Sequence, residues 1–112
     1  MSTAPVRNVP SPATVEETKR RFRQLEAVWE ADTMFLSDTH QIIEHPAFQE
    51  IIALGETIIP FMLRDLEKEP RQWVWALPRI TGANPLRPED AGDSRKMAEA
   101  WLRWGREQGY RW

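Results

Sequence analysis

Two histidines, His40 and His45, are the only side chains in this sequence whose ordinary pKa suits proton transfer near neutrality. They stand five apart across a segment with turn character, whereas a zinc site needs three or four well-spaced ligands. The chain has no cysteine, which excludes disulfides, thiolate metal sites and a cysteine nucleophile, and it has no HExxH spacing. No metal and no cofactor is expected. His45 precedes Pro46, which places it in the N-cap region of a helix with its imidazole bonded to loop backbone. The carboxylates are equally ordinary. Glu67 and Glu69 flank Lys68 at a solvated helix end, and Glu89, Asp90 and Asp93 belong to a loop and a cap. None marks out the pair of separated acids that general acid–base catalysis requires. Neither GETIIP nor GANP matches a phosphate loop, a nucleophile elbow or a dinucleotide fingerprint. No catalytic residue is assigned, and the chain is read as a non-enzyme.

The aromatic and arginine residues are the better functional candidates. In PRQWVWALPR, Trp73 shares a helical face with Leu77 and Ile80 and reads as core. Trp75 lies about 200° round the same helix and cannot share that face. Either a neighbouring helix covers it or solvent does, and packing under the first or last helix is the commoner fate. Exposed, it would join Arg71 and Arg79 in a flat partner-binding surface, because Trp and Arg dominate interface hot spots. Nucleic acid is the alternative partner, through Lys19, Arg20, Arg21 and Arg23 of the first helix and Arg95, Lys96, Arg103 and Arg106 of the last. Glu16, Glu17, Glu26 and Glu30 share that first helix, however, and the net charge is −2. Mixed charge of this kind is the mark of a solvated face.

These residues must be carried by short helices. Thr14, with Glu17 three residues on, reads as a capping box opening a helix to about Asp32, its stripe formed by Val15, Phe22, Leu25, Val28 and Trp29. Ser37, Asp38 and Thr39 look like a turn, and residues 41–44 are either extended or a short helical turn. Pro46 suits the first turn of a helix that Gly55 ends. Thr57 can cap the next helix, which holds Pro60 in its first turn and stops before Pro70. A third helix runs from Pro70 to Gly82, with Pro78 as an interior kink. Residues 83–92 form a loop. Asp93 or Ser94 caps the final helix, which Gly109 ends, leaving Tyr110, Arg111 and Trp112 as a short tail. Leu25, Trp29, Ile52, Ile59, Leu63, Leu66, Leu77, Ile80, Met97 and Trp101 are the expected core.

At 112 residues the chain supports one domain, residues 14–112, and its six tryptophans could anchor a small core. Residues 1–13 are proline-rich and polar and read as a disordered tail. No stretch resembles a signal peptide, and no apolar run approaches the ~18–20 residues of a membrane span, so the cytoplasm is the expected compartment and no membrane contact is expected.

The run ALGETIIPFMLRDLE resembles the HEAT-like repeat pattern, a short helix ending near glycine and a second carrying isoleucine–proline before a leucine stripe. Residues 29–109 resemble a family of small bacterial proteins through WEADTMFLS, HPAFQEIIALG, IIPFMLRDLE, WVWALPRITGANP and MAEAWLRWG. The resemblance implies an all-α domain and no catalytic residues, and Pro78 departs from the pattern within WALxxITG. The fold expected is therefore all-α, a HEAT-like stack of about five helices. The function expected is non-enzymatic binding to a protein partner or a second copy, with a subunit of a toxin–antitoxin type pair as an analogy from size and class.

Overall fold

The computed structural model describes residues 12–112 apart from residues 71–72. Most of the expected N-terminal tail therefore lies outside the described residues. Six α-helices, two 3₁₀ turns and no strand make up what is described. No single helix among them is long and apolar enough to cross a membrane.

Helix α1, Pro12–Thr33, already includes Thr14 in its first turn instead of starting at it. Phe22 and Leu25 are buried from α1, and Trp29 packs at the edge of the same core. Thr33 closes the helix by donating its hydroxyl to the Trp29 carbonyl at 2.6 Å. The uncertain segment that follows is helical. Helix α2, Thr39–Glu44, is capped by Asp38, whose carboxylate accepts the His40 N–H at 2.9 Å. The Trp29 indole donates to the Ile42 carbonyl at 2.8 Å and fastens α2 to α1.

Pro46 bars the α conformation for His45, and the chain turns there into α3, Pro46–Ala53. His45 caps α3 as expected, its Nδ1 accepting the Ala47 N–H at 3.0 Å. Helix α3 buries Ala47, Phe48 and Ile51 against α1. Gly55, at φ 78°, then reverses the chain into a 3₁₀ turn, Gly55–Ile58. Thr57 sits inside this turn and makes no cap. Helix α4, Ile59–Lys68, starts with Pro60 in its first turn and buries Ile59, Met62, Leu63 and Leu66.

The third expected helix is the main correction. Residues 73–76 form turns, and α5 is only Leu77–Thr81. Pro78 is not an interior kink; it occupies the first turn of α5, where its missing N–H removes no helical bond. Trp73 adopts φ 71°, the one non-glycine residue with positive φ among the described residues. It reaches the core through this left-handed turn and not through helical phase. Its indole stacks on Trp29 at 5.5 Å, packs on Phe22 at 5.2 Å and donates to Asp65 Oδ2 at 2.9 Å.

A loop containing the second 3₁₀ turn, Pro88–Asp90, leads to α6, Ser94–Glu107, which Asp93 caps through the Lys96 N–H. Helix α6 lies against α4 with Trp101 fully buried. The C-terminal residues are docked, with Trp104 edge-on to Trp101 and stacked on Tyr110. Gly105 permits the close approach: a Cβ there would lie 2.6 Å from Leu63 Cδ1 and 3.1 Å from the Trp112 ring. Of the expected core, Leu25, Ile59, Leu63, Leu66, Leu77 and Trp101 are buried, while Trp29, Ile52, Ile80 and Met97 pack half-buried around it.

Two stability measurements follow. Asp65→Ala leaves the Trp73 indole and part of the Arg23 guanidinium without their acceptor, and should lower unfolding free energy by about 2–3 kcal/mol in urea titration. Gly105→Ala raises helix propensity by about 1 kcal/mol. Because Leu63 is fully buried and cannot swing aside, overpacking of about 1–3 kcal/mol should outweigh that gain and lower the melting temperature.

Candidate protein-interaction surfaces

Trp75 stands in the turn that Trp73 begins. With Trp73 turned inward and Val74 and Ala76 buried, Trp75 is left pointing outward and is 44% exposed. Arg79, one turn on, is exposed and donates Nη1 to the Trp75 carbonyl at 2.7 Å. The structure therefore brings Trp75 and Arg79 together, and the guanidinium is tied to the backbone that carries the indole. Arg71, the third residue expected on this surface, lies outside the described residues.

A second apolar surface was not foreseen. The sequence assigns Val28 to the buried stripe of α1, but the side chain is half exposed. At 100° per residue Val28 falls about 60° outside the arc of Phe22, Leu25 and Trp29, at its border with the side that carries the exposed Ala31. Beyond the end of α1 at Thr33, Met34, Phe35 and Leu36 are exposed as well, Phe35 at 93%. Among the described residues, every large apolar side chain counted as exposed, except Trp75, belongs to residues 28–36. Beside it opens a cleft of about 380 Å³ lined by Trp29, Glu30, Ala31, Thr33, Met34 and Ile42.

His45 has both ring nitrogens committed. Because Nδ1 accepts the Ala47 N–H, the ring proton sits on Nε2, which donates to Asp32 Oδ2 at 2.9 Å. The residue ties the end of α1 to the α2–α3 joint, which leaves no free lone pair for abstracting a proton. His40 faces Glu44 one turn along α2 at 3.1 Å. No group of three or more metal-ligating side chains occurs among the described residues.

Arg23, Glu26 and Asp65 form a cluster of ion pairs that spans α1 and α4. Arg23 meets Asp65 through two hydrogen bonds, at 2.8 and 3.1 Å, and Glu26 at 2.8 Å. The bond to Asp65, before all other causes, holds the guanidinium in its charged form. Burial raises the Glu26 carboxyl above its ordinary value, against the opposing pull of Arg23. Sequence reading had placed Arg23 and Glu26 on a solvated face; both are partly buried here. Asp65 already accepts three hydrogen bonds, so the cluster serves to join α1, α4 and the Trp73 turn.

Comparisons of the chain with protein families, curated proteins and solved structures found no match.

The Glu26 shift has a definite sign. A carboxyl whose pKa is raised in the folded state holds its proton more tightly there, so its contribution to stability is full below the ordinary value of 4.5 and is lost as pH rises through the raised value. Glu26→Gln should remove that decline. Urea titrations of both chains from pH 4 to pH 7 should show the variant gaining on the wild type as pH increases.

Proposed function

We infer that the chain is a non-enzymatic protein-binding module whose contact surface includes Trp75, Arg79 and, beside them in sequence, Arg71. The observation that carries this reading is the pairing of a 44% exposed indole with an arginine held to the same backbone turn. A half-exposed tryptophan offers a large contact area with few rotatable bonds to order, as an interface anchor must. The α3–α4 unit, whose two segments change direction by 100° at the Gly55 corner, supports a HEAT-like description of the middle of the chain. Such helix pairs present surfaces and leave chemistry to their partners. The nucleic-acid alternative relies on free cations, and on α1 two are engaged: Arg21 with Glu50 at 2.9 Å and Arg23 with Asp65 and Glu26.

The test is capture of partners by the tagged full-length chain in its native host, identified by mass spectrometry, followed by binding measurements with wild type and Trp75→Ala. A specific protein partner should be recovered, and the substitution should weaken its binding by about 2 kcal/mol, roughly 30-fold. The half-exposed position means that helicity and melting temperature should be retained. Recovery of nucleic acid and no protein partner would overturn the reading.

A further inference from the structure

We propose that the link between α1 and α2 is a proteolytic cleavage site, cut at the Phe35–Leu36 bond by an endoprotease that takes a large apolar side chain on the acyl side. This goes beyond the Trp75 reading and rests on different residues.

The first argument is access. An endoprotease binds its substrate as an extended strand, so a folded chain is cut where several consecutive residues can leave the surface together. Residues 34–41 are all exposed, the longest such run among the described residues, and residues 36–38 already lie outside any helix. Within the run Met34, Phe35 and Leu36 are 67%, 93% and 40% exposed, so a side chain fit for an apolar specificity pocket stands free of the core. The nitrogen of the bond to be cut is held by one turn, its N–H donating to the Thr33 carbonyl at 2.9 Å. At the surface water replaces such an acceptor at small net cost.

The second argument is the ease of opening. Helix α2 has six residues, none of them buried, and is far too short to be stable alone. The Trp29 indole at Ile42 and the Asp38 cap hold it in place. Unwinding α2 gives a protease the length of chain it needs and leaves the buried faces of α1, α3 and α4 together. Segments with few buried contacts open in this way at free energies well below that of global unfolding.

The third argument is contrast. Trp75 is the other exposed aromatic, yet Val74 and Ala76 on either side of it are buried, and its carbonyl accepts from Arg79. Phe22, Phe48, Trp73 and Trp101 are buried outright. The fold thus presents one bond of this class.

Hydrolysis adds water across that bond: the carbon–nitrogen bond breaks, Phe35 keeps a carboxylate and Leu36 gains an amino group. Helix α1 then belongs to a separate chain, held by Phe22, Leu25, Trp29 and the Arg23–Asp65 bonds. Its association with the remainder becomes dependent on concentration, which turns a permanent scaffold into a releasable one.

The test treats the full chain with a trace of chymotrypsin in native buffer and identifies early products by mass spectrometry. The first cut should separate residues 1–35 from residues 36–112. It should be at least about 10-fold faster than any other cut. Its rate should rise with urea at no more than about half the slope of global unfolding, because only a local segment opens. Phe35→Asp should retain the wild-type circular dichroism and melting temperature, since the side chain is 93% exposed. It should slow cleavage at that bond at least about 10-fold, since an apolar pocket rejects a carboxylate. A first cut elsewhere, an unchanged rate in Phe35→Asp, or a urea slope equal to that of global unfolding would overturn the proposal. None of these outcomes bears on Trp75, whose partner is read separately by capture and by Trp75→Ala.

Discussion

One carboxylate, that of Asp65, governs how the first half of the chain meets the second. It stands on α4 at the edge of the core and accepts from the Arg23 guanidinium twice and from the Trp73 indole once. In a half-buried setting these charge-assisted bonds are stronger than neutral ones, and each lone pair left unfilled would carry a desolvation penalty. The bond to Trp73 fixes where that indole lies, between Phe22 and Trp29, and so fixes the left-handed backbone at residue 73. A non-glycine residue in that region costs roughly 1–2 kcal/mol. Burial of a large indole offsets this comfortably. The outward placement of Trp75 is a downstream consequence of the same turn.

Most of the helices here could not exist alone. Helices of five, six and eight residues are far below the length at which an isolated segment is stable in water. They persist because α1, 22 residues long, gives α3 a surface to pack on and supplies Trp29, whose indole donates to the Ile42 carbonyl of α2. Local devices then set the joints. Asp38, His45 and Asp93 each accept a backbone N–H at a helix start, and Gly55 and Gly82 take positive φ where helices must end. α1 is thus the scaffold on which the shorter elements assemble, through the side that carries Phe22, Leu25 and Trp29.

The legible part of the molecule was its punctuation. His45 before Pro46, Gly55, Pro60, the stop before Pro70, Asp93 and Gly109 all act where local chemistry places them, because caps and proline effects depend on one or two neighbouring residues. The buried faces of α4 and α6 were also readable, since each has a single apolar stripe at helical spacing. Val28 was misassigned because periodicity by itself cannot say how wide the buried arc of a helix is, whereas Trp73 is core as expected but reaches it through a turn and not through a helix. Arg23 and Glu26 were misplaced because a charge pattern does not disclose an acceptor 42 residues away on another helix.

By itself, then, the amino-acid sequence determined an all-helical chain, the positions of most helix ends and the residues able to anchor a small core, because these follow from backbone sterics and local periodicity. The tertiary structure decided three things. It ended the expected third helix short, because Pro78 begins a helix more readily than it interrupts one and Trp73 gains more from Asp65 and Trp29 than from helical phase. It turned Trp75 to solvent, because Trp73 occupies the core position the two could not share. And it left Val28, Met34 and Phe35 exposed, because the core is built on the side of α1 that carries Phe22, Leu25 and Trp29, and residues 34 and 35 lie beyond the end of that helix.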